Sequence, residues 1–250
     1  MNRNVLDLNS EKKRVVLLIH PMLSSAEGMK RIIAERMGSE FRYIIPNLSA
    51  HGNAEDKRYV SAEKESEKIY DYLKINHIEE LALAFGASLG GVVLLQLLNH
   101  KDVKIDKVLF EGCSVWQNAS VLEWIVRNVF IHEHRKAVHN RESTIKKMKG
   151  IYGNGAATMV DGLIAIDEQS IRNICRDCAF VRLPVLSEEE QQKCLFLYGS
   201  KDVDLKGAKR ILPKRFPHAK LKVWQGYGHC MKITADTSAY CEMLKREMEI

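Results

Sequence analysis

The sequence predicts an α/β protein with a doubly wound, mainly parallel sheet and a helical cap inserted into it. Short apolar runs alternate with amphipathic helical segments along most of the chain, which is the pattern of a parallel sheet with helices on both faces. The run Val15–Ile19 is apolar at every position, as in a strand whose two faces are both buried. One long stretch, 116–190, interrupts this alternation because it contains helix-like segments and no convincing strand.

The elements follow one another in a regular order. Apolar runs predict strands over 15–19, 43–45, 81–85, 107–111, 194–198 and 221–224. Helical spacing of apolar residues predicts helices over 26–37, 61–76 and 235–249. An apolar segment that follows residue 91 predicts a further helix, which ends at about residue 98. Inside the interruption the same spacing predicts helices near 121–139, 143–150, 157–165 and 167–178. We therefore expect one core domain, 1–115 and 191–250, with 116–190 as a helical cap over the carboxyl edge of the sheet.

Composition excludes several classes of protein. The chain has 250 residues, of which 46% are hydrophobic and 28% charged, so a folded core is expected. No apolar run is long enough for a membrane span, and the amino-terminal stretch lacks the apolar core of a signal peptide. A cytoplasmic location is therefore expected, and the six cysteines should be free thiols. Cys175 and Cys178 have C-x-x-C spacing, but with no second pair the motif favours neither zinc nor redox chemistry.

The net charge of +6 is concentrated in the predicted cap. Between residues 127 and 149 it carries seven basic and two acidic residues, which we interpret as the solvated face of a helix. The alternative is a positive field that attracts an anionic substrate. Nucleic-acid binding is not expected because neither interleaved aromatic residues nor a known binding module accompanies the charge.

A serine at residue 88 has the surroundings of a nucleophile. Gly86-Ala87-Ser88-Leu89-Gly90 matches G-x-S-x-G and lies between a predicted strand and a predicted helix. Small flanking residues let the backbone turn sharply there, so that the serine hydroxyl projects above the sheet. The competing interpretation is an ordinary helix cap.

An acid and a histidine follow the last two predicted strands. Asp202 lies just after the strand at 194–198, and His229 lies in a glycine-containing loop after the strand at 221–224. All three side chains should meet because parallel strands end at the same edge of the sheet, where ligands bind in such folds. They predict a catalytic triad, with Asp204 as the reserve candidate for the acid.

These residues resemble the α/β-hydrolase family along nearly the whole chain, of the capped serine hydrolase or esterase type. Ile19-His20-Pro21-Met22 resembles the family's oxyanion loop, and 46–52 resembles the loop after its next strand. The resemblance implies an oxyanion hole formed by the backbone N–H groups of Met22 and Leu89. Pro21 stands where the family often has glycine, but it removes neither donor. Asn47 and Ala50 also depart from the second loop's usual residues.

The resulting prediction is a serine hydrolase that cleaves a carboxylic ester or thioester through an acyl-enzyme, with no metal or organic cofactor. A cofactor-free C–C hydrolase or lyase on the same triad and a non-catalytic ligand-binding member of the fold are the alternatives. The expected partner is a small-molecule substrate that bears an acyl group, and an anionic substrate is the alternative. The apolar residues of the first cap helix would either line the acyl pocket or pack against the core; they are Leu122, Ile125, Val126, Val129 and Phe130. His132 and His134 do not predict a metal site because a helix points residues i and i+2 apart.

Overall fold

A seven-stranded sheet forms the centre of the protein in a computed structural model that describes residues 4–152 and 155–249. Its strand order is β1-β3-β2-β5-β7-β8-β9. The strands are β1 (Val5–Leu8), β2 (Val15–Ile19), β3 (Arg42–Pro46), β5 (Leu83–Ala87), β7 (Val108–Glu111), β8 (Cys194–Gly199) and β9 (Lys220–Trp224). The short strands β4 (Glu80–Leu81) and β6 (Lys104–Ile105) pair separately in a two-stranded parallel sheet.

All neighbours in the main sheet are parallel except β1, which runs antiparallel to β3. The six parallel strands coincide within a few residues with the predicted ones. Strand β1 was not predicted: its four residues are only half-buried, so they lack the apolar run that marks the central strands.

Helices cover both faces of the sheet, as predicted for a doubly wound fold. One face packs against α3 (Ala62–Ile75), α4 (Leu89–Leu97) and α10 (Asp204–Arg215). The other face packs against α1 (Ala26–Met29), a π-helical turn at Lys30–Ala34, α2 (Glu35–Met37), α11 (Met231–Ala235) and α12 (Thr237–Glu249). The sequence predicted neither α10 nor α11, and the predicted helix over 235–249 corresponds to α12.

The segment between β7 and β8 is helical. It contains α5 (Ser120–His139), α6 (Arg141–Tyr152), α7 (Ala156–Ala165), α8 (Glu168–Ala179) and α9 (Glu188–Gln192). Helices α5, α7 and α8 share an apolar cluster that Leu23 of the core joins. Ile174 of α8 also belongs to the cluster beneath the sheet. The division into a core domain and a cap stays a prediction, because α8 contributes to the apolar cluster of the inserted helices and also to an apolar cluster against the sheet.

No helix among the described residues has both the length and the apolar character that crossing a membrane would need.

Candidate active site

The ends of three parallel strands bring together the serine, histidine and acid that the sequence singled out. Ser88 lies between β5 and α4, Asp202 follows β8, and His229 follows β9. The Ser88 Oγ is 2.8 Å from Nε2 of His229. The other ring nitrogen of His229, Nδ1, is 3.0 and 3.1 Å from the two carboxylate oxygens of Asp202. One hydrogen-bonded chain therefore runs from hydroxyl to imidazole to carboxylate.

The backbone at Ser88 is held in a conformation that few residues adopt. Its φ is +50° and its ψ is −114°, outside the regions favoured by residues with a side chain. A Cβ on Gly86 would lie 2.5 Å from the carbonyl oxygen of Gly90, and one on Gly90 would lie 2.3 Å from that of Ile19. Both glycines are thus required for the strand to turn so closely into the helix. The N–H of Ser88 donates to the carbonyl of Glu111 at 2.8 Å, which ties the turn to β7.

Asp202, and not Asp204, contacts the imidazole directly. The side chain of Asp202 is fully buried, and its Oδ1 also accepts the backbone N–H of Asp204 at 3.0 Å. The nearest carboxylate oxygen of Asp204 is 3.8 Å from Nδ1 of His229, beyond hydrogen-bonding distance. Of the two candidate acids, Asp202 is therefore the one that lies within hydrogen-bonding distance of the ring.

The environment of His229 favours its protonated form. Burial lowers the pKa of the imidazole, but Cys230 and the Asp202 carboxylate raise it by more than burial lowers it. The pKa of His229 therefore lies well above its usual value. The loop that carries the ring fits closely over Gly199, where a Cβ would lie 2.2 Å from the carbonyl oxygen of Tyr227. Asp202 therefore stabilises the positive charge that the imidazole carries when it is protonated.

The loop that carries Met22 is shaped by a buried neutral histidine. His20 contacts the carbonyl of Pro21 through Nδ1 at 2.8 Å and accepts the Leu48 N–H at Nε2 at 3.0 Å. Burial and the neighbouring His51 lower the pKa of His20 to about 3, so the ring is neutral and Nδ1 carries the proton. Residues from both loops that resemble the family's motifs therefore hold each other in place.

The backbone N–H groups predicted to form the oxyanion hole belong to residues that line a cavity beside Ser88. Met22 and Leu89 line the same cavity as Ser88 and His229. Leu89 is the first residue of α4, where backbone N–H groups lack an acceptor within the helix. Among the described residues, neither N–H donates a hydrogen bond to the protein. Both remain available to an oxyanion.

A cavity of about 280 Å³ opens beside the serine. Its wall is mostly apolar and comes from α5, α8 and the loops after β7 and β8. Leu122, Val126 and Phe130 of α5 line it, whereas Ile125 and Val129 of the same predicted face are 47% and 55% exposed. The α5 helix is therefore rotated so that only part of that apolar face reaches the cavity. The remaining lining residues are Ser114, Trp116, Glu123, Ile174, Cys175, Cys178, Ala179, Val203 and Asp204.

The two cysteines with C-x-x-C spacing lie on α8, as the helical pattern predicted, and face this cavity. Both are free thiols. Burial raises the pKa of Cys175 to about 12 and that of Cys178 well above its usual value. Neither thiol is therefore a thiolate at neutral pH, the form in which a cysteine acts as a nucleophile.

The basic residues of the predicted cap are largely paired with acids. Arg135 forms a bidentate pair with Glu168 at 2.7 and 3.0 Å, and Arg141 forms one with Asp161 at 2.6 and 2.9 Å. None of the seven basic residues lines the cavity beside Ser88. This geometry favours the interpretation of these residues as a solvated helix face over the alternative of a positive field that attracts an anionic substrate.

The same site holds the one group of possible metal ligands among the described residues. Ligand atoms of Asp202, Asp204 and His229 lie within 4.8 Å of one another. A metal bound there would take the Nδ1 of His229 away from Asp202, which would break the chain that ends at Ser88. The geometry thus fits a proton relay better than a metal centre.

A third acid, Glu111, lies buried near the site and was not predicted from the sequence. Glu111 ends β7 with no exposed surface, and its Oε2 accepts from Tyr240 at 2.9 Å and from the Trp224 indole at 3.4 Å. Burial raises the pKa of this carboxyl to about 7. Its position at the end of a predicted strand was the available signal, but no motif surrounds it.

None of the family models or curated proteins compared with the chain matches it. Solved structures do match over almost all of its length. An esterase from Exiguobacterium antarcticum aligns with a TM-score of 0.74 at 16% identity, covering 98% of this chain and 95% of the other. A study of carboxylesterases from Nitrososphaera gargenis contains a structure with a TM-score of 0.73 at 14% identity, covering 97% and 92%. A protein of the alpha/beta hydrolase family from Desulfitobacterium hafniense gives 0.72 at 16% identity, covering 97% and 98%. The chain therefore has the α/β-hydrolase fold, which confirms the predicted fold class.

Proposed function

We propose that the protein is a serine hydrolase that cleaves a carboxylic ester or thioester through an acyl-enzyme. The observation that carries this proposal is the unbroken chain from Ser88 to His229 to Asp202, at 2.8 Å and 3.0–3.1 Å. An apolar cavity opens at the nucleophile, as an acyl group would need. The esterases among the matching structures support the same activity class.

The first half of the reaction acylates Ser88. A serine hydroxyl is a weak nucleophile at neutral pH, so Nε2 of His229 takes its proton while Oγ attacks the substrate carbonyl. Asp202 keeps the second nitrogen of the ring protonated and stabilises the imidazolium. The negative oxygen of the tetrahedral intermediate accepts hydrogen bonds from the N–H groups of Met22 and Leu89. His229 then donates the proton that it took from Ser88 to the leaving group.

The second half removes the acyl group by the same route. Water gives its proton to His229 and attacks the acyl carbonyl, and the imidazolium then protonates Ser88 Oγ as it leaves. Every proton passes through one histidine, so no cofactor is required for this sequence of steps.

Labelling with a fluorophosphonate probe tests the nucleophile directly. We expect the wild-type protein to be labelled and Ser88→Ala to be neither labelled nor active on nitrophenyl acetate. Ser143→Ala, a change at an exposed serine of α6, is the matched control and should behave as wild type. Activity of Ser88→Ala above a few per cent of wild type would refute the assignment of the nucleophile.

A panel of esters and thioesters of increasing acyl length tests the reaction class. We expect turnover of at least one series, with a length limit set by the cavity. Labelling of Ser88 without turnover of either series would favour C–C bond cleavage on the same triad. Absence of both labelling and turnover would favour a ligand-binding protein.

A further inference from the structure

The cavity beside Ser88 has a carboxylate at its catalytic end. Asp204 lies in the first turn of α10 and lines the cavity. Its Oδ2 is 3.8 Å from Nδ1 of His229, so it stands within a few ångströms of the reacting groups. Most of the wall around it is apolar, with Val203 and the α5 and α8 residues as neighbours. A charged group on such a wall costs free energy unless something hydrogen-bonds to it.

Two neighbouring carboxylates of this site differ in how well the protein satisfies them. Asp202 accepts hydrogen bonds from His229 and from a backbone N–H. The side chains of Ser114 and Trp116 are donors close enough to lower the pKa of Asp204, but among the described residues neither forms a hydrogen bond of normal geometry with its carboxylate. Burial raises the pKa of Asp204 to about 6; the charge of Asp202 adds to the rise, while His229, Ser114 and Trp116 oppose it. The group is therefore mostly ionised at neutral pH and has acceptor capacity left for a ligand.

Packing fixes the position of this carboxylate. The indole of Trp116 lies against α10, where a Cβ on Gly207 would be 2.8 Å from the ring. The guanidinium of Arg210 covers the same ring at 5.5 Å from its centroid. Gly207 and Arg210 follow Asp204 on the same helix, so these contacts hold the backbone that carries the acid against Trp116. An acceptor that is held in place before binding costs less free energy to order when the ligand binds.

The charge of the ligand group follows from its surroundings. An anion would be repelled by Asp204 and by the neighbouring Asp202. A cation would be attracted by the two carboxylates, but it would also be repelled by the imidazolium that forms on His229 during the reaction, which opposes the step that has to be accelerated. A neutral donor avoids both costs, and on an ester the common neutral donor is a hydroxyl group.

We propose that Asp204 is a specificity-determining residue whose carboxylate accepts a hydrogen bond from a hydroxyl group of the substrate. The preferred substrates are then uncharged esters that carry a second oxygen function, as a hydroxyl, close to the scissile carbonyl. This inference rests on the proposed ester hydrolysis and deepens it by naming the substrate class. The hydroxyl can belong to the acyl part or to the alcohol part of the ester.

Two matched pairs of esters test the proposal and separate these sources. Nitrophenyl butyrate and nitrophenyl 3-hydroxybutyrate differ by a hydroxyl on the acyl side, and ethyl butyrate and 2-hydroxyethyl butyrate differ by one on the alcohol side. In one pair we expect wild-type kcat/KM to be roughly tenfold higher for the hydroxylated ester, the size of one hydrogen bond to a charged group. Asp204→Leu should reduce that ratio to about one, and Asp204→Asn, which keeps an acceptor oxygen, should leave part of it.

The control variant is Phe130→Leu, which alters the apolar wall and should change both members of a pair alike. Fluorophosphonate labelling of Ser88 in each variant shows that the site is intact. A ratio near one for wild type in both pairs would overturn the proposal. So would an equal loss on both members of a pair in Asp204→Leu, since Asp204 would then act on His229 and not on the substrate. If wild type is labelled but cleaves none of the four esters, ester hydrolysis itself fails and this inference fails with it.

Discussion

Replacing Asp202 by asparagine tests which acid serves His229. The carboxylate is fully buried and lies 3.0 and 3.1 Å from Nδ1 of the ring. An asparagine whose amide nitrogen faces Nδ1 would favour the tautomer that carries its proton on Nε2, and that nitrogen could no longer take the proton of Ser88. The same change in Ser-His-Asp proteases lowers kcat about 10⁴-fold, or about 5.5 kcal/mol of transition-state stabilisation.

The assay is steady-state hydrolysis of nitrophenyl acetate from pH 5 to pH 9, with Asp204→Asn measured alongside. Asp204 is 3.8 Å from Nδ1, too far for a hydrogen bond, so we expect its loss to cost at most about tenfold on an ester without a hydroxyl. The Asp202 carboxylate raises the pKa of His229. Activity needs the neutral ring, so the acid limb of wild-type kcat/KM should lie above pH 6.5 and should move to lower pH in Asp202→Asn.

A larger loss in Asp204→Asn than in Asp202→Asn would refute this reasoning and would make Asp204 the orienting acid. An unchanged acid limb in Asp202→Asn would refute the electrostatic part alone.

Two other predictions concern charges near the site and on the predicted cap. Burial raises the pKa of Glu111 from 4.5 to about 7, so the folded state binds this proton more tightly and the protein should lose roughly 3 kcal/mol of stability as pH rises through that window. Urea unfolding at pH 5 and pH 8 should show this loss in wild type and not in Glu111→Gln, and equal pH dependence of the two proteins would contradict it. Arg135 is already paired with Glu168, and neither Arg135 nor Lys136 lines the cavity. Replacing both by glutamate should therefore change kcat/KM alike for an anionic and a neutral ester, and a salt-dependent loss confined to the anionic ester would restore the idea of electrostatic steering.

The parallel part of the fold could be predicted because its strands are buried on both faces. Every residue of β2 and β5 is buried, so each strand must be an unbroken apolar run. Strand β1 escapes this logic because it pairs with β3 at the sheet edge and is only half-buried. Helix α10 escaped for another reason: its polar residues, its Gly207 and its Pro213 reduce the helical signal.

The residues that carry the proposed chemistry could be located for a topological reason. Ser88, Asp202 and His229 each follow a parallel strand, and parallel strands end at one edge, so sequence order together with strand order places them near one another. The sequence alone could not determine whether Asp202 or Asp204 contacts the imidazole of His229. The two acids are separated by one residue, and only the turn after β8 determines which carboxylate reaches the ring.

The wall of the cavity depends on packing between elements that are distant in sequence, which residue patterns do not encode. Trp116 follows β7 and Asp204 follows β8, and they become neighbours because those strands pair and α10 presents a glycine to the indole. The rotation of α5 about its axis could not be predicted either, because its apolar residues surround most of the helix. Contact with α8 determines that Leu122 and Phe130 face the cavity while Ile125 faces solvent. The proposed reaction class therefore rests on local motifs at strand ends, whereas the proposed substrate preference depends on contacts between β7, β8 and the inserted helices. For this reason the ester pairs that probe Asp204 address a property that the motifs alone do not predict.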